Sequence, residues 1–157
     1  MPKNLALRSA RFCPKTHLNC ESWARVFAGN WEDRVAGLTG SLPGGSGQFC
    51  TKPGLIFVDQ KNADAFSARL GELLGKVGAC TMLTSGIGGA FETAAAERAR
   101  RASVTALIAS EAASGSHQVF PALFQTDVKS YLAGPILGEE MFGPAAVVIC
   151  YATRGTA

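Results

Sequence analysis

The sequence predicts an α/β fold: an open, largely parallel twisted sheet with flanking helices. Three observations carry that expectation. Short apolar runs at residues 55–58, 104–108, 119–124 and 145–151 have strand length. They alternate with helical patterns of about 10 to 15 residues, the spacing of βαβ units. The last run, built on Val147, Val148 and Ile149, is apolar without alternation, as in a strand covered on both faces.

Taken in order, the first patterned segment is residues 21–38. Trp23, Phe27, Trp31 and Val35 recur every four residues, with Val26 and Leu38 on the same face, which predicts a helix. Glu21, Arg25, Glu32 and Arg34 stay in water, and the tryptophans belong to the apolar stripe. A glycine-rich loop at 40–47 leads to the strand at 55–58. A second helix is expected from an Asn62 cap, with Asp64 in its first turn and Phe66, Leu70, Leu73, Leu74 and Val77 buried. Glu72 and Lys76 form an i,i+4 pair, and Gly78 is a natural stop. Cys80 then falls in a loop as an inert thiol. Residues 88–102 predict an alanine-rich third helix. Its Arg98, Arg100 and Arg101 read as a solvated last turn, where cations offset the helix dipole. A strand at 104–108, a Gly/Ser loop at 114–116 and an extended run at 119–124 follow, with Pro121 marking an edge or bulge. Thr126 or Asp127 caps a short helix through Leu132.

A chain of 157 residues that is 47% hydrophobic has the size and composition of one folded domain. No run approaches the length of a membrane span, and no apolar stretch near Met1 resembles a signal peptide. Five cysteines scattered at 13, 20, 50, 80 and 150 do not suggest a disulfide framework, so a reducing cytoplasm is expected. The net charge of +3 is concentrated at the front, where Lys3, Arg8, Arg11, Lys15 and Arg25 face only Glu21. Pro14 interrupts any amphipathic helix there, and no aromatic interleaving supports nucleic-acid stacking. Residues 1–20 are read as a basic, unassigned segment and residues 21–157 as the domain. Cys13, His17 and Cys20 lack the spacing and the fourth ligand of a structural zinc site, so no metal is expected.

The chemistry gathers at Gly45-Ser46-Gly47-Gln48-Phe49-Cys50-Thr51-Lys52-Pro53-Gly54. Three glycines and a proline punctuate the chain around one thiol, just ahead of an apolar strand. Such a turn positions a cysteine, the best nucleophile among side chains once it is ionised. Lys52 and the N–H groups of the turn are candidates for favouring the thiolate. A buried, inert cysteine is the other reading that these residues allow.

Residues 47–54, Gly-Gln-Phe-Cys-Thr-Lys-Pro-Gly, resemble the catalytic-cysteine motif of the aldehyde dehydrogenase superfamily. Ninety residues on, Leu137-Gly138-Glu139-Glu140-Met141-Phe142-Gly143-Pro144 resembles that family's second signature, Glu-Glu-x-Phe-Gly-Pro. The version here is similar to the branch that oxidises 2,5-dioxopentanoate (α-ketoglutarate semialdehyde). Residues 81–87 and 118–124 are also similar to it. The resemblance spans about residues 34–151 and implies part of the family's catalytic domain. It implies Cys50 as the nucleophile, forming a thiohemiacetal and then a thioester. It also implies NAD or NADP as hydride acceptor, with Glu140 on the nicotinamide ribose and Phe142 against the nicotinamide. Glu139-Glu140 taken without the motif reads as a solvated helix end.

Several of the family's parts have no counterpart in the sequence: the Glu-Leu-Gly general base, the oxyanion-hole asparagine and the dinucleotide-binding half. Gly86-Ile87-Gly88-Gly89 and Gly45-Ser46-Gly47 each supply only half of a dinucleotide fingerprint. The chain is therefore expected to act on a small aldehyde as part of a larger enzyme, with the cofactor held mainly elsewhere and little turnover alone. No nucleic-acid or membrane partner is expected, and an exposed apolar face would favour self-association. Two other classes stay open: a cysteine-dependent esterase or redox protein, and a non-catalytic interaction module.

Overall fold

The computed structural model describes residues 23–26, 31–109, 115 and 117–152. In chain order its elements are β1 (Trp23–Val26), α1 (Trp31–Ser41), a 3-10 turn at Gly44–Gly47, β2 (Leu55–Asp59), α2 (Gln60–Leu74), β3 (Cys80–Thr81), α3 (Ser85–Ala99), β4 (Thr105–Ile108), β5 (Gln118–Val119), β6 (Ala122–Asp127), α4 (Val128–Ala133), a second 3-10 turn at Pro135–Leu137, and β7 (Ala145–Tyr151). Five strands form the main sheet in the order β1-β2-β7-β6-β4, while β3 and β5 make a small ribbon. β1, β2, β7 and β6 run parallel, and β4 closes one edge antiparallel to β6. The open, largely parallel α/β sheet is the architecture that the sequence predicts.

The two faces of the sheet follow from the period-2 alternation of strand side chains. Ile56, Val58, Leu123, Ala146 and Val148 face α1 and α2, meeting Val35, Leu38, Phe66, Leu70 and Leu74. Ala122, Phe124, Ala145, Val147 and Ile149 point the other way, toward α3, and meet Phe91, Ala95, Met82, Leu137 and Met141. β7 is central and buried on both faces, which explains its unbroken apolar run. Phe66, Phe91 and Phe124 are fully buried, so truncating any of them to alanine is expected to destabilise the fold by about 3–5 kcal/mol.

The structure corrects several boundaries. The helix expected over residues 21–38 is instead β1 followed by a shorter α1; Phe27 lies outside the described residues. β1 pairs along the outer edge of β2, Trp23 opposite Leu55 through Val26 opposite Val58. That pairing satisfies backbone groups that an unoccupied β2 edge would leave open, and it outweighs a helical period that short apolar runs mimic. Trp31 does join the core, edge-on to Phe66 with centroids 6.4 Å apart.

α2 is capped by Asp59 rather than Asn62, because the last residue of β2 turns straight into the helix and its carboxylate accepts from Lys61 N at 3.0 Å. The helix ends at Gly75, before Gly78. Glu72 pairs with Lys76 at 2.7 Å as expected and also with Arg69 at 2.6 Å. α3 starts three residues earlier than its composition suggests. The Thr84 hydroxyl accepts from Ile87 N at 3.2 Å, and burial of Gly88 and Phe91 against the sheet overrides the poor propensity of its glycines. Cys80 sits in β3, buried, and burial pushes its thiol pKa up. The extended run at 119–124 is divided at Pro121 into β5 and β6.

α4 is only six residues long and depends on its cap. Asp127 accepts from Lys129 N at 2.8 Å and Ser130 N at 2.9 Å. The Ser130 hydroxyl, donating to its carboxylate at 2.7 Å, is the main cause that holds the carboxyl below the usual range, with the Ser130 N–H next. Asp127→Ala is expected to cost about 1 kcal/mol, read as a lower urea midpoint.

Candidate functional site

The two motif segments meet because of strand order. The cysteine segment leads into β2 and the Glu-Glu segment leads into β7, and these strands are parallel neighbours, with Leu55 opposite Val147. Their preceding loops therefore emerge at the same, amino-terminal edge of the sheet. Val147 N donates to Gly54 O at 2.9 Å, so the ladder begins within the cysteine loop itself.

Backbone packs on backbone where the loops touch. A Cβ on Gly47 would lie 2.3 Å from both C and O of Gly143 and 2.4 Å from Pro144 N. Gly47 also has φ +66° and ends a run of three left-handed residues, Gly45, Ser46 and Gly47. Only glycine meets both demands at position 47. Gly143 has φ +146°, and a Cβ there would come within 2.4 Å of the Phe91 ring.

Beyond this turn, Lys52 N donates to Phe49 O at 3.1 Å. That bond closes a β-turn with Cys50 and Thr51 at its tip. Cys50 is exposed, whereas Cys80 is buried and Cys150 half-buried. Burial raises the pKa of Cys150, with the charges of Asp64 and Asp127 adding to it. Of the three described cysteines, Cys50 is the thiol open to a reactant.

Lys52 has a different role from the one its position suggests. It is 4% exposed, and Nζ donates to Met141 O at 3.0 Å and Ala145 O at 2.9 Å. The ammonium is thus committed to carbonyls of the Glu-Glu segment and is no dedicated partner of the neighbouring thiol. Loss of hydration pulls its pKa from the ordinary 10.5 to about 8; the Glu140 carboxylate opposes this and the Arg98 cation adds to it.

Arg98, expected in water, is 2% exposed. It turns inward from α3, and Nη1 donates to Ala94 O at 3.1 Å, while Nη2 donates to Ile136 O at 3.0 Å and Glu139 O at 2.8 Å. A desolvated cation needs such acceptors. Arg100 and Arg101 remain exposed. No local pattern separates Arg98 from its neighbours, because the two acceptors outside its own helix, Ile136 O and Glu139 O, lie about forty residues away.

Glu139, Glu140 and Phe142 are exposed. Glu140 and Phe142 border a shallow depression of about 230 Å³, whose other walls are Met141 and Ile87, Ala90, Phe91 and Ala94 of α3. A third segment is tied in by Gln48, whose Oε1 accepts from Leu83 N at 3.0 Å. Phe49, Leu83 and Phe142 are the large apolar side chains left exposed on these loops, at 60%, 78% and 43%. Cys50, Glu140 and Phe142 thus sit on loops that are in direct contact.

Cys13, His17 and Cys20 lie outside the described residues. Among the described residues no three His, Cys, Asp or Glu side chains group closely enough to hold a metal ion. No helix among them is long and apolar enough to cross a membrane.

No family model matches the chain. Over 119 residues, 74% of this chain, it is 36% identical to alpha-ketoglutaric semialdehyde dehydrogenase 2 of Azospirillum brasilense, and it spans 23% of that relative's length. Its fold superposes on an aldehyde dehydrogenase of Bacillus cereus in an NAD+ complex with TM-score 0.73, at 17% identity, covering 85% of this chain and 29% of that one. A lactaldehyde dehydrogenase structure matches with TM-score 0.71 at 22% identity, over 85% of this chain and 30% of the other. A succinic semialdehyde dehydrogenase of Streptococcus pyogenes in complex with NADP+ gives 0.69 at 16% identity, over 83% and 30%. At 36% identity over 74% of its length to one member, the chain belongs to the aldehyde dehydrogenase superfamily.

Proposed function

We propose that this chain carries the nucleophile and part of the nicotinamide site of an NAD(P)-dependent aldehyde dehydrogenase, acting as one portion of a larger catalytic unit. The observation that carries the reading is the exposed Cys50 at the tip of a turn that is packed against the Glu140-Phe142 loop. Cys50 as thiolate adds to the aldehyde carbon, and the new alkoxide is stabilised by donors such as the turn's own N–H groups. Loss of hydride from that carbon leaves a thioester, and water releases the carboxylate and restores the thiol.

NAD(P)+ supplies the hydride acceptor when bound. The residues present fit its nicotinamide end: Glu140 offers an exposed carboxylate to ribose hydroxyls, and Phe142 offers a ring beside an apolar wall. The remaining contacts of a dinucleotide are assigned to portions that the relative has and this chain does not span. Semialdehydes of dicarboxylates, 2,5-dioxopentanoate first among them, are the substrates that the Azospirillum relative suggests.

The reading is tested by substrate protection. Alkylation of Cys50 by iodoacetamide, followed by peptide mass mapping, is expected to slow severalfold and saturably with 2,5-dioxopentanoate. 2-Oxoglutarate, which lacks the aldehyde, is expected to leave the rate unchanged. Equal rates with and without the aldehyde would count against Cys50 as its acceptor.

A further inference from the structure

Two cations are buried beneath one loop, and their acceptors are ordered along it. Arg98 takes the carbonyls of Ile136 and Glu139, and Lys52 takes those of Met141 and Ala145. Glu140 therefore has a held carbonyl immediately before it and another immediately after it, each bound by a different cation from a different part of the chain. Both cations are held by main-chain oxygens, while Glu140 attracts Lys52 and Glu139 and Glu97 attract Arg98 through space. Two desolvated charges spent on main-chain oxygens are costly unless every donor is well placed, and Arg98 Nε is buried without an acceptor. Packing of α3 alone does not call for such an arrangement, since an apolar side chain would fill that space at lower cost.

We propose that Lys52 and Arg98 are positioning residues that clamp the backbone on both sides of Glu140, holding its carboxylate and the Phe142 ring at a fixed place relative to the Cys50 turn. Lys52 is two residues from Cys50, so one side chain fixes nucleophile loop and acidic loop to each other. Arg98 fixes the acidic loop to α3, whose earlier turns wall the depression. The catalytic meaning of the clamp rests on the reading of Glu140 given above. The clamp itself does not, and the following test reads it without any aldehyde or cofactor.

Glutamyl endopeptidase cuts after glutamate only where the backbone can detach and extend. Glu139 and Glu140 are exposed outside helix and strand, while Glu72 is exposed inside α2. Clamping predicts that the wild-type chain is cut after Glu139 and Glu140 at a rate within about tenfold of that after Glu72. A loop cut faster than that overturns the proposal. In Lys52→Met and Arg98→Met, the ratio of loop to Glu72 cleavage is expected to rise by about tenfold or more, as loss of bonds to charged donors implies. An unchanged ratio, or equal acceleration at both places, would show a role in general stability only and overturns it. Arg98→Lys keeps a cation and is expected to stay nearer the wild-type ratio than Arg98→Met; the reverse order overturns it. If the methionine variants do not fold, judged by circular dichroism, the wild-type ratio decides alone.

Discussion

Gly47→Ala is expected to destabilise the fold by about 2–5 kcal/mol, combining a left-handed backbone with a steric overlap. The overlap is unusually hard to relieve, because the Cβ would meet main-chain atoms of Gly143 and Pro144 at 2.3–2.4 Å rather than a side chain that can swing away. Relief requires the cysteine turn and the acidic loop to move apart. The substitution should therefore lower the urea midpoint and also release the clamped loop to protease. Gly37 gives the contrast: it lies within α1, a Cβ there would meet nothing within 4 Å, and Gly37→Ala is expected to stabilise by up to about 1 kcal/mol. Equal midpoints for the two variants would mean that the loops do not touch as described.

Lys52 is expected to make the fold more stable as pH rises from about 8 to 10.5, the reverse of what a salt-bridged lysine does. The folded chain releases the Lys52 proton near pH 8, whereas the unfolded chain keeps it until the ordinary value of 10.5. Between those values the unfolded state binds more protons, so raising pH favours the folded state. The full shift corresponds to an upper limit of about 3 kcal/mol. Cys80 and Cys150 act in the opposite sense, since burial raises their pKa values and stability falls once the unfolded thiols ionise. Comparing the wild-type chain with Lys52→Met by urea unfolding at several pH values cancels those contributions. The difference in stability should move in favour of the wild type across this window and stay level below pH 7. A difference independent of pH would show that the amine is not desolvated. At neutral pH the sign of the substitution is less informative, because removing a buried charge helps while orphaning two carbonyls costs.

Much of the fold could be read from local pattern. The buried face of α2 is spelled by Phe66, Leu70 and Leu74, and the central place of β7 by its uninterrupted Val147, Val148 and Ile149. Trp23–Val26 could not be read, since its conformation depends on a vacant edge of β2, a partner about thirty residues away. Cys50, Glu140 and Phe142 were visible as motif residues, and the structure leaves all three exposed on touching loops. The residues that tie those loops together were not visible. Lys52 beside a thiol looks like a local charge, and Arg98 within Arg98-Ala99-Arg100-Arg101 looks like one cation among several. Their acceptors are backbone oxygens, which carry no residue identity for a sequence pattern to register.

The β2–β7 ladder sets where the thiol's loop and the carboxylate's loop leave the sheet, and the two buried cations hold the loops only beyond that point. A ruler made of buried peptide groups does not stretch. Slipping it by one residue would turn every strand side chain to the wrong face, so intermediate settings do not exist. Heating should therefore leave the roots of the two loops in register until the sheet parts, in the same step that ends the fold.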